Sequence, residues 1–461
     1  MHGSNFSRRV FIAVCLLAAI GLFAPTVRAQ DKGDADAFES EQAAPVQPSP
    51  TLAPPIPSSL SDDTAVVVKS APAASKTART GPPAEAGLPG WMSASPSPHV
   101  TAGLDWHGNL ELDGGYVRYS WNTSDPPEKV YDSRGRFVVG PLLTRDLGND
   151  YFLRITGQVV DWVREVPGVP SAQYQINADD VYVQVGKQGL WDFMAGRFLT
   201  WRVFRKGLGF DLYTLEDLGA RSVPNFSDPS GRFKHMYEVD TIFMRDSGLV
   251  PSGRAAFHLY PTPWSGIELV GSYGRLDGGQ NVLGGRLAGG IKPKYFSLLV
   301  GAEYEGWSAA QAVAGCDKCG TEKKYGVGGS LAFTPVQAIE IAFSAAYGKD
   351  KTWGIVQGAA YSEDTIHSLG GYLQLDVGSL VMPRSLIVGI APFRTEYRDD
   401  GGTNIYQRHD QIAAYVAYPL GFNNSVVKLV FSEAIGYQQP PNPPNVDAHM
   451  YSVRLRFAYY Y

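Results

Sequence analysis

The last eleven residues, "YSVRLRFAYYY", alternate strictly: Tyr451, Val453, Leu455, Phe457, Tyr459 and Tyr461 on one side, Ser452, Arg454, Arg456, Ala458 and Tyr460 on the other. Successive side chains of a strand point to opposite faces, so a period of two marks an extended segment whose faces meet different surroundings. The pattern recurs from about residue 100 onward. "LDWHGNLEL" sets Leu104, Trp106, Gly108, Leu110 and Leu112 against Asp105, His107, Asn109 and Glu111. "IEIAFSAAY" sets Ile339, Ile341, Phe343, Ala345 and Tyr347 against Glu340, Ala342, Ser344 and Ala346. "YGVGGSLAF" and "LGGYLQLDV" behave alike. A helical apolar face repeats near 3.6 residues and cannot use these patterns.

Strands with one apolar and one polar face need two solvents. In hydrocarbon every backbone N–H and C=O must be paired, because each orphan costs several kcal/mol, roughly. A closed antiparallel barrel pairs them all with strands of about 9–11 residues, apolar outside and wet inside. The composition agrees: 51 Gly, 25 Tyr and only 18% charged residues suit strands, bends and membrane interfaces. The expected fold is all-β, a closed antiparallel transmembrane β-barrel of 16 or 18 strands. A soluble β-sandwich is the alternative, but it would bury most of the aromatics and has no use for long polar loops. A net charge of −5 gives no sign of nucleic-acid binding.

Three regions follow one another. Residues 1–29 read as a signal peptide: Arg8 and Arg9, then the apolar run Val10–Ala24, then small residues before a cleavage site after Ala29. "SRRVFIA" also resembles a twin-arginine export signal, although a strongly apolar run and a barrel that must cross unfolded favour the general route. Residues 30–99 hold twelve of the chain's 32 prolines among Ala, Ser and Thr, a composition that predicts a disordered linker on the periplasmic side. Its role is either a cell-wall-contacting arm or a passive tail. Residues 100–461 are the expected barrel.

Within the barrel, short Pro- or Gly-bearing connections (261–266, 292–295, 334–338, 419–424) alternate with polar, often longer ones (307–322, 349–365, 438–448). Eighteen candidate segments can be drawn, including 104–112, 116–122 and 237–245. That count contains a conflict. Counting back from Tyr461 puts 201–236 on the periplasmic side, where so long a connection does not belong.

The alternating, aromatic-ended last strand resembles the C-terminal signature of Gram-negative outer-membrane proteins. "DDVYVQVGKQGLWDFMAGRF" (179–198) is similar to a hairpin of phosphate-selective and related porins. The resemblance implies the outer membrane as location, after export. It implies bilayer lipid and lipopolysaccharide as surroundings, and the barrel-assembly machinery as reader of the C-terminal strand. Trimerisation is common among general porins, but the sequence carries no signal for a homotrimer.

The candidate site is the segment 201–235. It carries Arg202, Arg205, Lys206, Asp211, Glu216, Asp217 and Arg221, and "TLEDLGAR" reads as a capped helical turn. Folded into the lumen, it would narrow the pore and set opposed charges across it; the alternative is an exposed loop with solvated charges. Arg197, Glu340, Asp376, Arg454 and Arg456 fall on expected inner faces, with Asp105, Glu111, Arg154 and Lys428. Cys316 and Cys319 in "GCDKCG" suit a local disulfide better than half a metal site, given an exported chain. No phosphate-loop or dinucleotide spacing is present, so no cofactor is expected. His107 beside Asp105 and His409 beside Asp410 lack a recognisable serine nucleophile. The leading expectation is a porin-like channel for passive diffusion of small hydrophilic solutes or ions. The alternatives are an outer-membrane enzyme and a plugged structural or adhesive barrel.

Overall fold

In the computed structural model of the chain, the described residues are 102–121, 127–165, 173–208, 253–275, 281–307, 321–336, 338–353, 361–377, 386–399, 406–420, 425–439 and 446–460. The expected signal peptide and linker, the segment 237–245, the helical turn expected near 214–219 and both Cys316 and Cys319 lie outside them.

Sixteen strands form the wall: β1 (Gly103–Trp121), β2 (Glu128–Gly148), β3 (Tyr151–Glu165), β4 (Gln173–Lys187), β5 (Trp191–Arg197), β6 (Gly253–Thr262), β7 (Ser265–Arg275), β8 (Asn281–Ile291), β9 (Phe296–Trp307), β10 (Glu322–Val336), β11 (Ile339–Trp353), β12 (Tyr361–Asp376), β13 (Ile387–Asp399), β14 (Tyr406–Pro419), β15 (Ser425–Gln439) and β16 (Val446–Tyr460). Each pairs antiparallel with its sequence neighbours, and β1 pairs with β16, so no edge remains.

The solvent preferences of a water-soluble protein are inverted. Leu104, Trp106, Leu283, Phe343 and Leu369 are 60–65% exposed, whereas Glu268, Arg286 and Arg454 are 2% exposed or less. On β16, Tyr451, Val453, Leu455 and Tyr459 face outward, and Ser452, Arg454, Arg456 and Ala458 are buried toward the lumen. A continuous apolar exterior over a charged interior is what a bilayer-spanning barrel requires.

The sixteen-strand count removes the conflict in the sequence reading. The segments 104–112 and 116–122 are one strand, β1, paired without a break through Asp113, Gly114 and Gly115 to both neighbours. The wall also passes directly from β5 to β6. With sixteen strands, the connection 198–252 starts from the rim opposite the chain termini. The tight turns at 149–150, 188–190 and 263–264 lie on the terminal rim. The hairpin between β2 and β3 turns on Asn149 and Asp150, with φ of 52° and 67°, the left-handed pair that matches strand twist.

The wall is uneven. β1 and β2 have 19 and 21 residues. β5 has 7, and β6 to β9 have between 10 and 12. At the seam, Asp113 of β1 is the direct partner of Arg456 of β16. The guanidinium donates from Nε to Oδ1 and from Nη2 to Oδ2, both at 2.5 Å, and its Nη1 lies 3.5 Å from Glu111. Such a bidentate pair adds geometric specificity, here fixing the register in which the first and last strands close.

Candidate functional site

β5 stops where Gly196 adopts φ 137°, with Val181 O 2.2 Å from where a Cβ would sit. Beyond it the chain leaves the wall. Residues 198–208 form a strap across the lumen, with Trp201, Val203, Phe204 and Leu208 all 9% exposed or less. They belong to one apolar cluster with Leu299 of β9, Ala342 of β11, Tyr372 of β12, Phe393 of β13, Tyr415 of β14 and Val430 of β15.

One end of the strap is tied to the low wall. Arg254 Nη1 donates to Phe198 O at 2.9 Å. The Trp201 N–H donates to the Glu268 carboxylate, 3.2 and 3.1 Å from its two oxygens. Arg286 donates to Trp201 O and to Glu268. The Trp201 ring stacks on His258 at 5.1 Å and 11°. Beneath it runs a row of direct cross-strand partners, Asp192 of β5, His258 of β6 and Glu268 of β7. His258 Nδ1 lies 2.7 Å from Asp192 and its Nε2 3.2 Å from Glu268. Tyr260 donates its hydroxyl to Asp192 at 2.8 Å. Buried charges persist only when paired in this way.

The other end reaches β9 and β11. The Arg205 N–H donates to Ser344 Oγ at 3.0 Å, and that hydroxyl donates back to Arg205 O at 2.9 Å. The Arg205 guanidinium donates to Ser297 Oγ at 2.9 Å and to Glu340 at 2.7 Å, and lies 5.9 Å from the centre of the Tyr372 ring. Tyr372 donates to the same Glu340. Phe204 meets Phe393 at 6.3 Å. Gly207 has φ 81°, and a Cβ there would stand 3.0 Å from both Tyr372 Cγ and Tyr415 Oη, so the strap turns against these two rings only because it carries glycine. Lys292, in the turn after β8, feels this end of the strap: burial first, then Arg205, lower its pKa below the ordinary lysine value, against the opposing pull of Glu340.

The sequence-derived residues divide as follows. Arg205 and Glu340 meet across the strap junction. Lys206 is buried in the strap and Arg202 half-buried. Asp376 ends β12 on the lumen side, the same side as Tyr372 and Gln374. Arg454 and Arg456 are buried on β16, away from the strap anchors, where Arg456 serves the seam. Asp211, Glu216, Asp217 and Arg221 lie outside the described residues. Arg197 departs from expectation. Its Cα partner is Val181, which is 42% exposed, so strand alternation assigns Arg197 to the outer face. His409 is buried on the lumen side while Asp410 sits on the outer face with Arg394, so the wall separates that His–Asp neighbour pair.

Sequence reasoning missed Asp192, His258, Glu268 and Arg286, as well as the inward rings of Tyr372, Phe393 and Tyr415. A signal existed. "RAAFHLY" alternates Arg254, Ala256, His258 and Tyr260 on one face, and a strand whose inner row is that polar and that bulky has to meet something inside the lumen.

Fold and lumen together define a transmembrane β-barrel crossed internally by a segment of its own chain. No protein-family model matches the sequence, and no curated protein is found similar to it. Among solved structures, the barrel is similar to the outer membrane channel DcaP of Acinetobacter baumannii, at 12% identity over 78% of this chain and 97% of that one, TM-score 0.45. It is also similar to OprB of Pseudomonas putida, at 11% identity over 77% and 94%, TM-score 0.45. A third is the anion-selective porin from Comamonas acidovorans, at 9% identity over 78% and 99%, TM-score 0.42. These are resemblances between barrels and carry no solute assignment.

Proposed function

We propose that the chain is an outer-membrane channel for passive diffusion of small hydrophilic solutes or ions, narrowed from within by the strap 198–208. The observation that carries this reading is the pairing of a polar, charged inner wall with a strap tied to both sides of it. Diffusion down a gradient needs only the lumen, so no cofactor or energy source is involved. The strap places Arg205 between Ser297 and Glu340. Its charge is therefore neutralised at the wall rather than projected into open solution, and selectivity rests on the remaining inner charges of both signs, among them Arg136, Arg154, Lys428 and Arg454 with Glu111, Glu303 and Asp376. Export with removal of residues 1–29, recognition of β16 by the assembly machinery, contact of 30–99 with the cell wall and assembly into homotrimers belong to the same reading.

An enzymatic role is disfavoured by the one buried His–carboxylate cluster described. Both ring nitrogens of His258 face carboxylates, at 2.7 and 3.2 Å, so neither is left to activate a nucleophile. A plugged barrel is the second reading, favoured by Val203 and Phe204 at 0% and 1% exposure. Planar-bilayer recording of the purified full-length protein separates the two. Stable ohmic steps smaller than those of an open barrel of this size are expected. Insertion without any conductance, at any holding potential, would contradict the channel reading and support the plug.

A further inference from the structure

The outer surface of β10–β14 carries a feature that a channel does not need. Near the terminal rim and mid-wall it is apolar, with Leu331, Phe333, Phe343 and Leu373 exposed beside Leu298 of β9. Toward the opposite rim the same outward rows become charged. Leu369 is the direct partner of Arg394, and Arg394 that of Asp410. One row further up, Tyr347, His367, Glu396, Arg408 and Tyr437 are successive partners across five strands. Six cations lie here: Lys323, Lys349, Lys351, Arg394, Arg398 and Arg408. Three carboxylates, Glu363, Glu396 and Asp410, stand among them. Glu363 pairs with Lys349 and, at 3.5 Å, with Lys351. Asp410 pairs with Arg394 at 2.5 Å and Arg408 at 3.2 Å. Positive charge remains in excess, and the Arg394 and Arg408 side chains are 50% and 41% exposed. The outward ends of β7 to β9 present Tyr273, Leu283 and Tyr304 instead.

A trough of about 820 Å³ runs along the wall into this patch. Its floor is Gly329 of β10 beside Ala345 of β11, direct partners with almost no side chain. One bank is Val327 with Tyr347, the other Leu331 with Phe343, each again a direct pair. The trough ends at Leu369, His367 and Arg394. An Arg or Lys facing mid-membrane hydrocarbon costs about 2–4 kcal/mol, and close to nothing at the headgroup level. The charged rows therefore mark where headgroups begin, and arginine is the side chain best matched to phosphate oxygens.

We propose that this face is a docking site for a phosphorylated, multiply acylated glycolipid of the outer leaflet. One acyl chain lies in the trough over Gly329 and Ala345, and a headgroup phosphate is held by Arg394 with Arg398 and Arg408. The proposal rests on the outer-membrane reading and names the lipid class and the place where it binds. The competing occupant, a second copy of this chain, would bury the same surface without any need for phosphate.

Native mass spectrometry of the detergent-solubilised full-length protein tests it, with bis-phosphorylated lipid A, its dephosphorylated form and phosphatidylethanolamine added in turn. Wild type is expected to retain the bis-phosphorylated lipid selectively. Arg394→Ala with Arg398→Ala and Arg408→Ala should weaken retention by about tenfold or more, the size of one lost charge-assisted bond. Ala345→Phe, which fills the trough without touching a charge, should also weaken it. Equal retention of the dephosphorylated lipid, unchanged binding in both variants, or a change in subunit number alone would overturn the proposal. Wild-type conductance recorded alongside keeps the outcomes separate: a conducting barrel without lipid selectivity refutes only the docking site, whereas a barrel that does not insert refutes the reading beneath it.

Discussion

A channel carrying Trp201→Ala together with Phe204→Ala is expected to conduct in larger single-channel steps than the parent, with its barrel intact. Both rings lie in the strap, at 8% and 1% exposure. Trp201 caps His258 on the low wall, and Phe204 meets Phe393 on the other side. Truncating a buried Phe or Trp to Ala costs about 3–5 kcal/mol. If half of that falls on the equilibrium between strap-in and strap-out, the populations shift by about two orders of magnitude or more. The wall itself is untouched, because the strap contributes no strand to the ladder. Heat-modifiable migration on cold detergent gels should therefore stay that of a folded barrel. Unchanged conductance in a folded variant would remove the strap from the diffusion path.

Replacing Glu268 by Leu is expected to be among the most destabilising single changes in the barrel. Glu268 is 1% exposed and meets Arg286, His258 and the Trp201 N–H at once. Its removal takes the buried carboxylate from the guanidinium of Arg286, itself 2% exposed, which keeps its bond to Trp201 O and lies 4.0 Å from Glu303. Breaking one side of a buried ion pair costs about 3–5 kcal/mol. Exposed pairs are worth about 0–1 kcal/mol, so the loss should exceed that of any surface ion pair. Denaturant titration of the protein refolded into vesicles measures the difference. Glu268→Gln keeps a hydrogen-bond acceptor for the Trp201 N–H but not the charge, and should fall between parent and Leu variant. A Leu variant as stable as the parent would mean that the carboxylate network does not hold the low wall.

The strands were legible because their signal is local. Each residue of β16 or β11 declares its face by its own chemistry, and two neighbours suffice to read the alternation. The break at Asp113, Gly114 and Gly115 misled because those residues look like a turn. What keeps them in β1 is their pairing with Arg136's strand on one side and Arg456's on the other, and the second partner lies at the far end of the chain. The lumen segment could be recognised by its length and mixed charge, but not its path. The strap's route depends on where Ser344, Glu340 and Glu268 stand once the barrel has closed, which no window of sequence contains. The face of Arg197 likewise follows from its register against Val181, a partner on another strand that a window along β5 does not contain.

A lipid-facing exterior around a water-facing interior is tested most directly by a spin-label scan of β16. Single cysteines are placed one at a time from Tyr451 to Tyr459, in a background lacking the native cysteines, and collision with membrane-dissolved oxygen is recorded at each. Oxygen access is expected to peak at 451, 453, 455, 457 and 459 and to fall at 452, 454, 456 and 458, a strict period of two in that phase. The opposite phase, a period near 3.6, or uniform access along the strand would contradict a closed barrel with lipid outside and its arginines within.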